Sequence, residues 1–160
     1  MKKIILGFVL VSVLVFAIIQ VIPSHAIHET FADPENPALI QEINWPDSKT
    51  ESIARRACYD CHSNETKYPF YASIAPLKWL LNRHINIGRE VLNFSDFRPS
   101  DVDIDDFIWH VHNNMPLPEY VLLHPEAALT EEEKEQLITV MQEIAPASDS
   151  EGHNMDDETD

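Results

Sequence analysis

Cys58-Tyr59-Asp60-Cys61-His62 decides how the rest of the sequence is read. Two thiols two residues apart, followed directly by an imidazole, have the spacing of c-type haem attachment. There the thiols bond to the two haem vinyl groups and the histidine takes the iron as proximal ligand. One helical turn supplies that spacing, so a short helix would hold the macrocycle edge and the iron together. Other chemistries use parts of the same pattern. A dithiol redox site asks for a thioredoxin-like βαβ surrounding, and no alternating strand pattern of useful length occurs. A structural zinc site asks for further thiolates or imidazoles at close spacing, and the chain has 2 cysteines in all. A disulfide across the pair would leave the adjacent His62 a coincidence.

Outward from the motif, the hydrophobic period is helical. Residues 52–62 carry helix formers up to the cysteines. Pro76, at a first-turn position, opens a segment in which Leu77, Leu80, Leu81, His84 and Gly88 recur at spacings of three and four. A third segment starts near Ser100, a candidate N-cap, with Ile104, Phe107, Ile108 and Val111 on one face. The last opens on Thr130-Glu131-Glu132-Glu133, a capping box, and continues with Leu137, Val140, Met141 and Ile144. The expected unit is a small all-α domain over residues 51–146, with long connections and Gly88 as its single glycine.

The flanks read differently. Lys2-Lys3 precedes an apolar run over residues 4–22, interrupted only by Ser12 and Gln20. As a helix this run spans roughly 28 Å, close to the hydrocarbon thickness of a bilayer. Basic residues before it and acidic ones beyond it set the N-terminus inside and the remainder outside. Residues 1–26 are therefore either a retained inner-membrane anchor or a signal segment cut after Ser24-His25-Ala26, which would release a soluble periplasmic form. Prolines and polar residues make 27–50 a tether. Residues 147–160 hold six acids and no Lys or Arg, an acidic disordered tail. The formal charge of −16 excludes nucleic acid as a partner, and 3 glycines leave no seat for a Gly-rich phosphate loop.

A single haem asks for a second axial ligand or an open distal face. Met115, in Asn113-Asn114-Met115-Pro116-Leu117-Pro118, follows a helix and precedes a proline that fixes the backbone. A thioether there would give His/Met ligation and favour ferrous iron. Met141, on the stripe of the last helix, reads as core. His84 falls on the apolar face of its segment and competes as ligand or pocket residue. At about 100° per residue His112 lies roughly 40° from Ile108 and His110 about 200° away, so His112 is expected inward and His110 in solvent. His124 reads as a loop-fixing residue. Tyr68, Phe70, Tyr71, Trp79 and Trp109 are candidate haem-pocket walls or ordinary core.

The run Cys58 to Tyr71, with Ile74-Ala75-Pro76 and Trp79, resembles the bacterial haem-binding domain family related to cytochrome c. The likeness continues in His84-Ile85-Asn86-Ile87-Gly88-Arg89, Asn93-Phe94-Ser95, Met115-Pro116-Leu117-Pro118-Glu119-Tyr120, His124 and Ala128-Leu129-Thr130, and covers about residues 35–145. Phe70 departs from it, standing where a Trp is expected. The resemblance implies a cytochrome c-like fold and one haem c held covalently by Cys58 and Cys61. It also implies iron ligation by His62 and favours Met115 distally; Tyr68, Trp79 and His84 are expected as pocket residues from their own chemistry and placement. Two functions follow. One is a membrane-tethered periplasmic electron carrier, whose acidic surface docks redox partners with a basic face. The other is a peroxidase-like haem enzyme or a gas or redox sensor with an open distal site.

Overall fold

The computed structural model describes residues 1–145. It is helical throughout. Among the described residues the one strand-like pairing is an isolated parallel bridge between Gln41 and Asp96.

Helix α1, Lys2–Gln20, has a mean hydropathy of 2.5 and none of its residues is buried. It is long and apolar enough to cross a membrane. Helix α2, Ser48–Ala57, starts on Asp47, whose carboxylate accepts from the Thr50 amide at 2.8 Å and the Thr50 hydroxyl at 2.7 Å. Cys58 breaks the helical dihedrals, and the short helix α3, Tyr59–His62, follows in a new direction. Helix α4, Leu77–Val91, has Pro76 at its cap rather than in its first turn. Helix α5, Ile104–Asn113, is capped by Asp103, which accepts from the Asp106 amide at 3.0 Å. Ser100, expected as that cap, lies earlier, in the single turn Pro99–Asp101. Extended Val102 separates the two, so a carboxylate three residues before Asp106 takes the capping role. Helix α6, Pro118–Leu123, was hidden inside an expected connection. Helix α7, Glu131–Ile144, opens on the expected capping box, with Thr130 and Glu133 bonded both ways. The acidic segment 147–160 lies outside the described residues.

The core is one cluster in which Ile53 and Ala54 of α2 meet Ile104 of α5 and Leu137 and Met141 of α7. Phe94, from the connection after α4, sits among them with Tyr59 stacked at 5.3 Å and Trp45 tilted at 5.5 Å. Met141 is fully buried, as its place on the α7 stripe required. A smaller cluster of Tyr71, Leu81 and Ile85 lies under α4. Leu77 and Leu80, on the same expected apolar stripe, stay exposed.

Two contacts of α4 position the motif. At Gly88 the helix lies so close to α3 that a Cβ there would stand 2.6 Å from the Cys61 carbonyl oxygen. A polar row, Lys78, Asn82, Asn86 and Arg89, faces residues 27–50. That segment, read as a tether, runs along the unit as a strap. Asn82 donates to the Phe31 carbonyl at 3.1 Å, and Asn86 donates to those of Thr30 and Ala32 at 3.0 and 2.9 Å. Further on, the Ile43 amide donates to the Phe94 carbonyl at 2.9 Å. The prolines that forbid a helix in the strap leave its carbonyls free, and the α4 amides take them.

Candidate functional site

An apolar cavity of about 410 Å³ lies between α3, α4, α5 and the loop carrying Met115. Ile87 and Val91 of α4, Leu92 and Phe94 after it, Phe107 and Val111 of α5 and Leu137 of α7 form its walls. Into this apolar space the chain brings His62, Met115 and the Cys58 thiol, with a second imidazole, His110, on the α5 wall.

His62 closes α3, and the Phe94 amide holds its carbonyl at 2.8 Å. Its Nδ1 lies 3.1 Å from the Leu92 carbonyl oxygen. A carbonyl can only accept, so Nδ1 carries the proton and Nε2 keeps its lone pair. Burial lowers the imidazole pKa against the raising effect of the Leu92 hydrogen bond, which keeps the ring neutral. This is the arrangement of a metal-ligating histidine with its second nitrogen anchored to backbone.

The other motif residues are tied down by their side chains. The Tyr59 hydroxyl accepts from Trp45 Nε1 at 3.0 Å. Asp60 accepts the Tyr120 hydroxyl at 2.6 Å and the Lys67 amide at 3.0 Å. Burial and this carboxylate together push the Tyr120 pKa far up. Arg89 donates to the carbonyl of Ser63, the residue after the motif, at 2.7 Å, and reaches Asn36 and Thr66 at 2.8 Å each. Both thiols are free, and desolvation pushes each up to about 12, helped by Cys61 at Cys58 and by Asp60 at Cys61. They are protonated at neutral pH. Cys61, unlike Cys58, does not line the cavity and packs against the Tyr71, Leu81 and Ile85 cluster.

Met115 follows α5, its amide held by the His110 carbonyl at 2.8 Å. The expectation for the two α5 histidines is reversed. His110 lines the cavity, whereas exposed His112 turns away, its Nε2 3.7 Å from Glu135 on α7. Helix α5 has two working flanks. Ile104 and Ile108 pack into the core, and the neighbouring flank of Asp103, Asp106, Phe107 and His110 faces the cavity. Measuring from Ile108 marked only the first. His110 Nδ1 bonds to Asn114 Oδ1 at 2.8 Å, and its Nε2 lies 3.5 Å from Asp106.

The remaining candidates lie outside the cavity lining. His84 is 3.8 Å from Glu119, with burial lowering its pKa. The Tyr68 hydroxyl donates to the Pro34 carbonyl at 2.7 Å. Trp79 is part-buried on α4, while Phe70 and Trp109 are exposed. Tyr71 is buried, and its hydroxyl meets His124 Nε2 at 2.7 Å, so His124 does fix a loop. Exposed Asp101, Asp103 and Asp106 also line the cavity and give it an acidic mouth, which the sequence reading missed. Their closeness to one another was visible, but not what they surround.

Among the described residues no group of three or more His, Cys, Asp or Glu is placed to hold a bare metal ion. An apolar cavity with two imidazoles, a thiol and a thioether on its walls and carboxylates at its mouth fits haem instead. No curated protein and no solved structure matches the chain. A family model described as a haem-binding domain matches residues 14–143, from within α1 to near the end of α7. The chain therefore belongs to the haem-binding domain family.

Proposed function

We propose that the protein is a one-electron carrier of cytochrome c type, tethered to the inner membrane by α1 with its haem domain on the periplasmic side. One haem c is attached through Cys58 and Cys61, with His62 as proximal and Met115 as distal iron ligand. The observation that carries this reading is the convergence of Cys58, His62 and Met115 on one apolar cavity. Bound there, haem supplies a reversible ferric/ferrous couple.

The chain's own residues do the rest. Each thiol would give its sulfur to one vinyl carbon and its hydrogen to the neighbouring carbon. For Cys61 this requires the side chain to leave the Tyr71 cluster. His62 presents Nε2 and keeps Nδ1 on Leu92, which fixes the ring and raises its basicity as a ligand. Met115, a soft neutral ligand, holds the ferrous state more firmly than the ferric. The aliphatic and aromatic walls exclude water, and the acids at the mouth steer a partner with a basic face. Such docking weakens as salt rises.

His110 on the cavity wall favours a second reading, in which an imidazole rather than Met115 serves the distal side of an enzyme or sensor. The absorption spectrum of the oxidised protein separates the two. Met115 ligation gives the weak long-wavelength sulfur-to-iron charge-transfer band. Met115→Ala removes it, opens the iron to carbon monoxide, and lowers the potential on the order of 0.1 V, well inside the span set by axial ligands. His110→Ala leaves the band in place. A parent protein that already binds carbon monoxide rapidly, with Met115→Ala silent, overturns the carrier reading.

A further inference from the structure

Three observations fall on one stretch of surface. The first is a bond between the apolar N-terminal helix and the domain. Gln20, the last residue of α1, donates from its side-chain nitrogen to the Ala75 carbonyl at 3.0 Å and accepts the Ala75 amide at 3.0 Å. This pairing sets Ala75 level with the end of α1, where the apolar run passes from hydrocarbon to headgroups.

The second is exposed apolar surface around that point. Phe70 is 86% exposed, and Leu77 and Ile74 are 43% and 37% exposed. Leu80 and Tyr68 extend the patch. Large apolar groups left in water next to one another mark an interaction site rather than a packing accident. Aromatic and aliphatic side chains of this kind are those that settle at a bilayer interface.

The third is charge. Residues 66–89 contain none of the 27 acidic residues of the chain and 4 of its 11 basic ones, Lys67, Lys78, Arg83 and Arg89. Lys78 is engaged by Asp33 and Arg89 by the strap, Lys67 lies beside Glu51, Asp60 and Glu126, and Arg83 is exposed. After residues 1–28 this is the longest acid-free stretch of a strongly acidic protein, and it carries Ala75, where the anchor meets the domain.

We infer that the surface built by residues 67–80 is a lipid-contacting face, which seats the haem domain on the anionic headgroups of the bilayer that α1 crosses. Phe70, Ile74 and Leu77 enter the interface, and exposed Arg83, the next turn of α4 beyond this surface, meets lipid phosphates. A domain held both at Gln20 and across this face has one orientation to the membrane instead of swinging on a linker. The inference rests on α1 being a retained anchor.

Photo-crosslinking of the full-length haem-loaded protein in vesicles tests it. Benzoylphenylalanine is placed at position 70 or 77, in phosphatidylglycerol/phosphatidylethanolamine vesicles. Position 16 inside α1 and position 135 on α7 serve as references. The expected result is lipid adducts at 16, 70 and 77, at least tenfold fewer at 135, and a several-fold drop at 70 in phosphatidylcholine vesicles. Adducts at 16 but not at 70 or 77 overturn the lipid-contacting face while leaving the anchor standing. Crosslinks from 70 to a second copy of the protein overturn it in favour of self-association. A yield at 70 that ignores headgroup charge overturns the anionic preference. A protein with no adducts at 16, recovered in soluble form, overturns the anchor and this inference with it.

Discussion

Helix α4 turns two unlike faces to the chain around it. One, at Ile85, Gly88, Ile87 and Val91, is apolar and works by closeness: it presses on α3 at Gly88 and leaves a cavity beside it. The other, at Lys78, Asn82, Asn86 and Arg89, is polar and works by bonding the strap, at the carbonyls of Thr30, Phe31, Ala32 and Glu35 and at the Asp33 carboxylate. The polar face is complete in itself. The apolar face borders the cavity that His62 and Met115 also line.

The largest effect is expected on the apolar face. In Gly88→Ala the new methyl group meets the Cys61 carbonyl oxygen at 2.6 Å, and backbone must move because no flexible side chain can give way. Overpacking of this kind costs about 3 kcal/mol and shifts the motif turn, so thermal melting falls and haem loading drops. A melting temperature within a degree of the parent would show that α3 and α4 do not depend on this approach.

On the polar face, Arg89→Ala removes donors from the Ser63 carbonyl, Asn36 and Thr66 together, and Ser63 is fully buried. Leaving such acceptors unpaired costs about 2 kcal/mol. Denaturant titration should show that loss with the haem spectrum unchanged at low denaturant. A changed spectrum in the folded variant would mean that the two faces are not independent.

The smallest effect is a pH dependence confined to the strap. Burial tends to raise the Asp33 pKa, but hydrogen bonds from Lys78, Ser24 and Asn82 outweigh it and hold the carboxyl below its ordinary 3.8. A lowered carboxyl stabilises the fold above its unfolded value, and the contribution is lost as pH falls through the folded one. Proteolysis within residues 27–40 should therefore quicken below about pH 4. Asp33→Asn should cleave at a faster rate that no longer depends on pH in that window. Equal rates for parent and variant at neutral pH would show that Asp33 does not hold the strap.

The same contrast explains what the sequence disclosed. Local rules carried the helices: the Thr130 and Glu133 box placed the start of α7, and the stripe placed Met141 in the core. They also carried the short helix Tyr59–His62, because one turn of helix is a local object. Helix α6 escaped because six residues hold too little periodicity, although Pro118 at its first position is a start signal. The strap escaped because its partners are side chains about fifty residues away. His110 escaped because a stripe shows which flank of α5 is packed, while the flank facing the cavity depends on where α4 and the Met115 loop lie.

The most direct test of the central claim, that this cavity is a c-type haem site, is denaturing acid extraction of protein made with a c-type maturation system. Haem should remain with the polypeptide, and replacing Cys58 and Cys61 together with Ala should release it to the organic phase. Haem that extracts freely from the parent protein, or stoichiometric zinc in its place, would contradict the account.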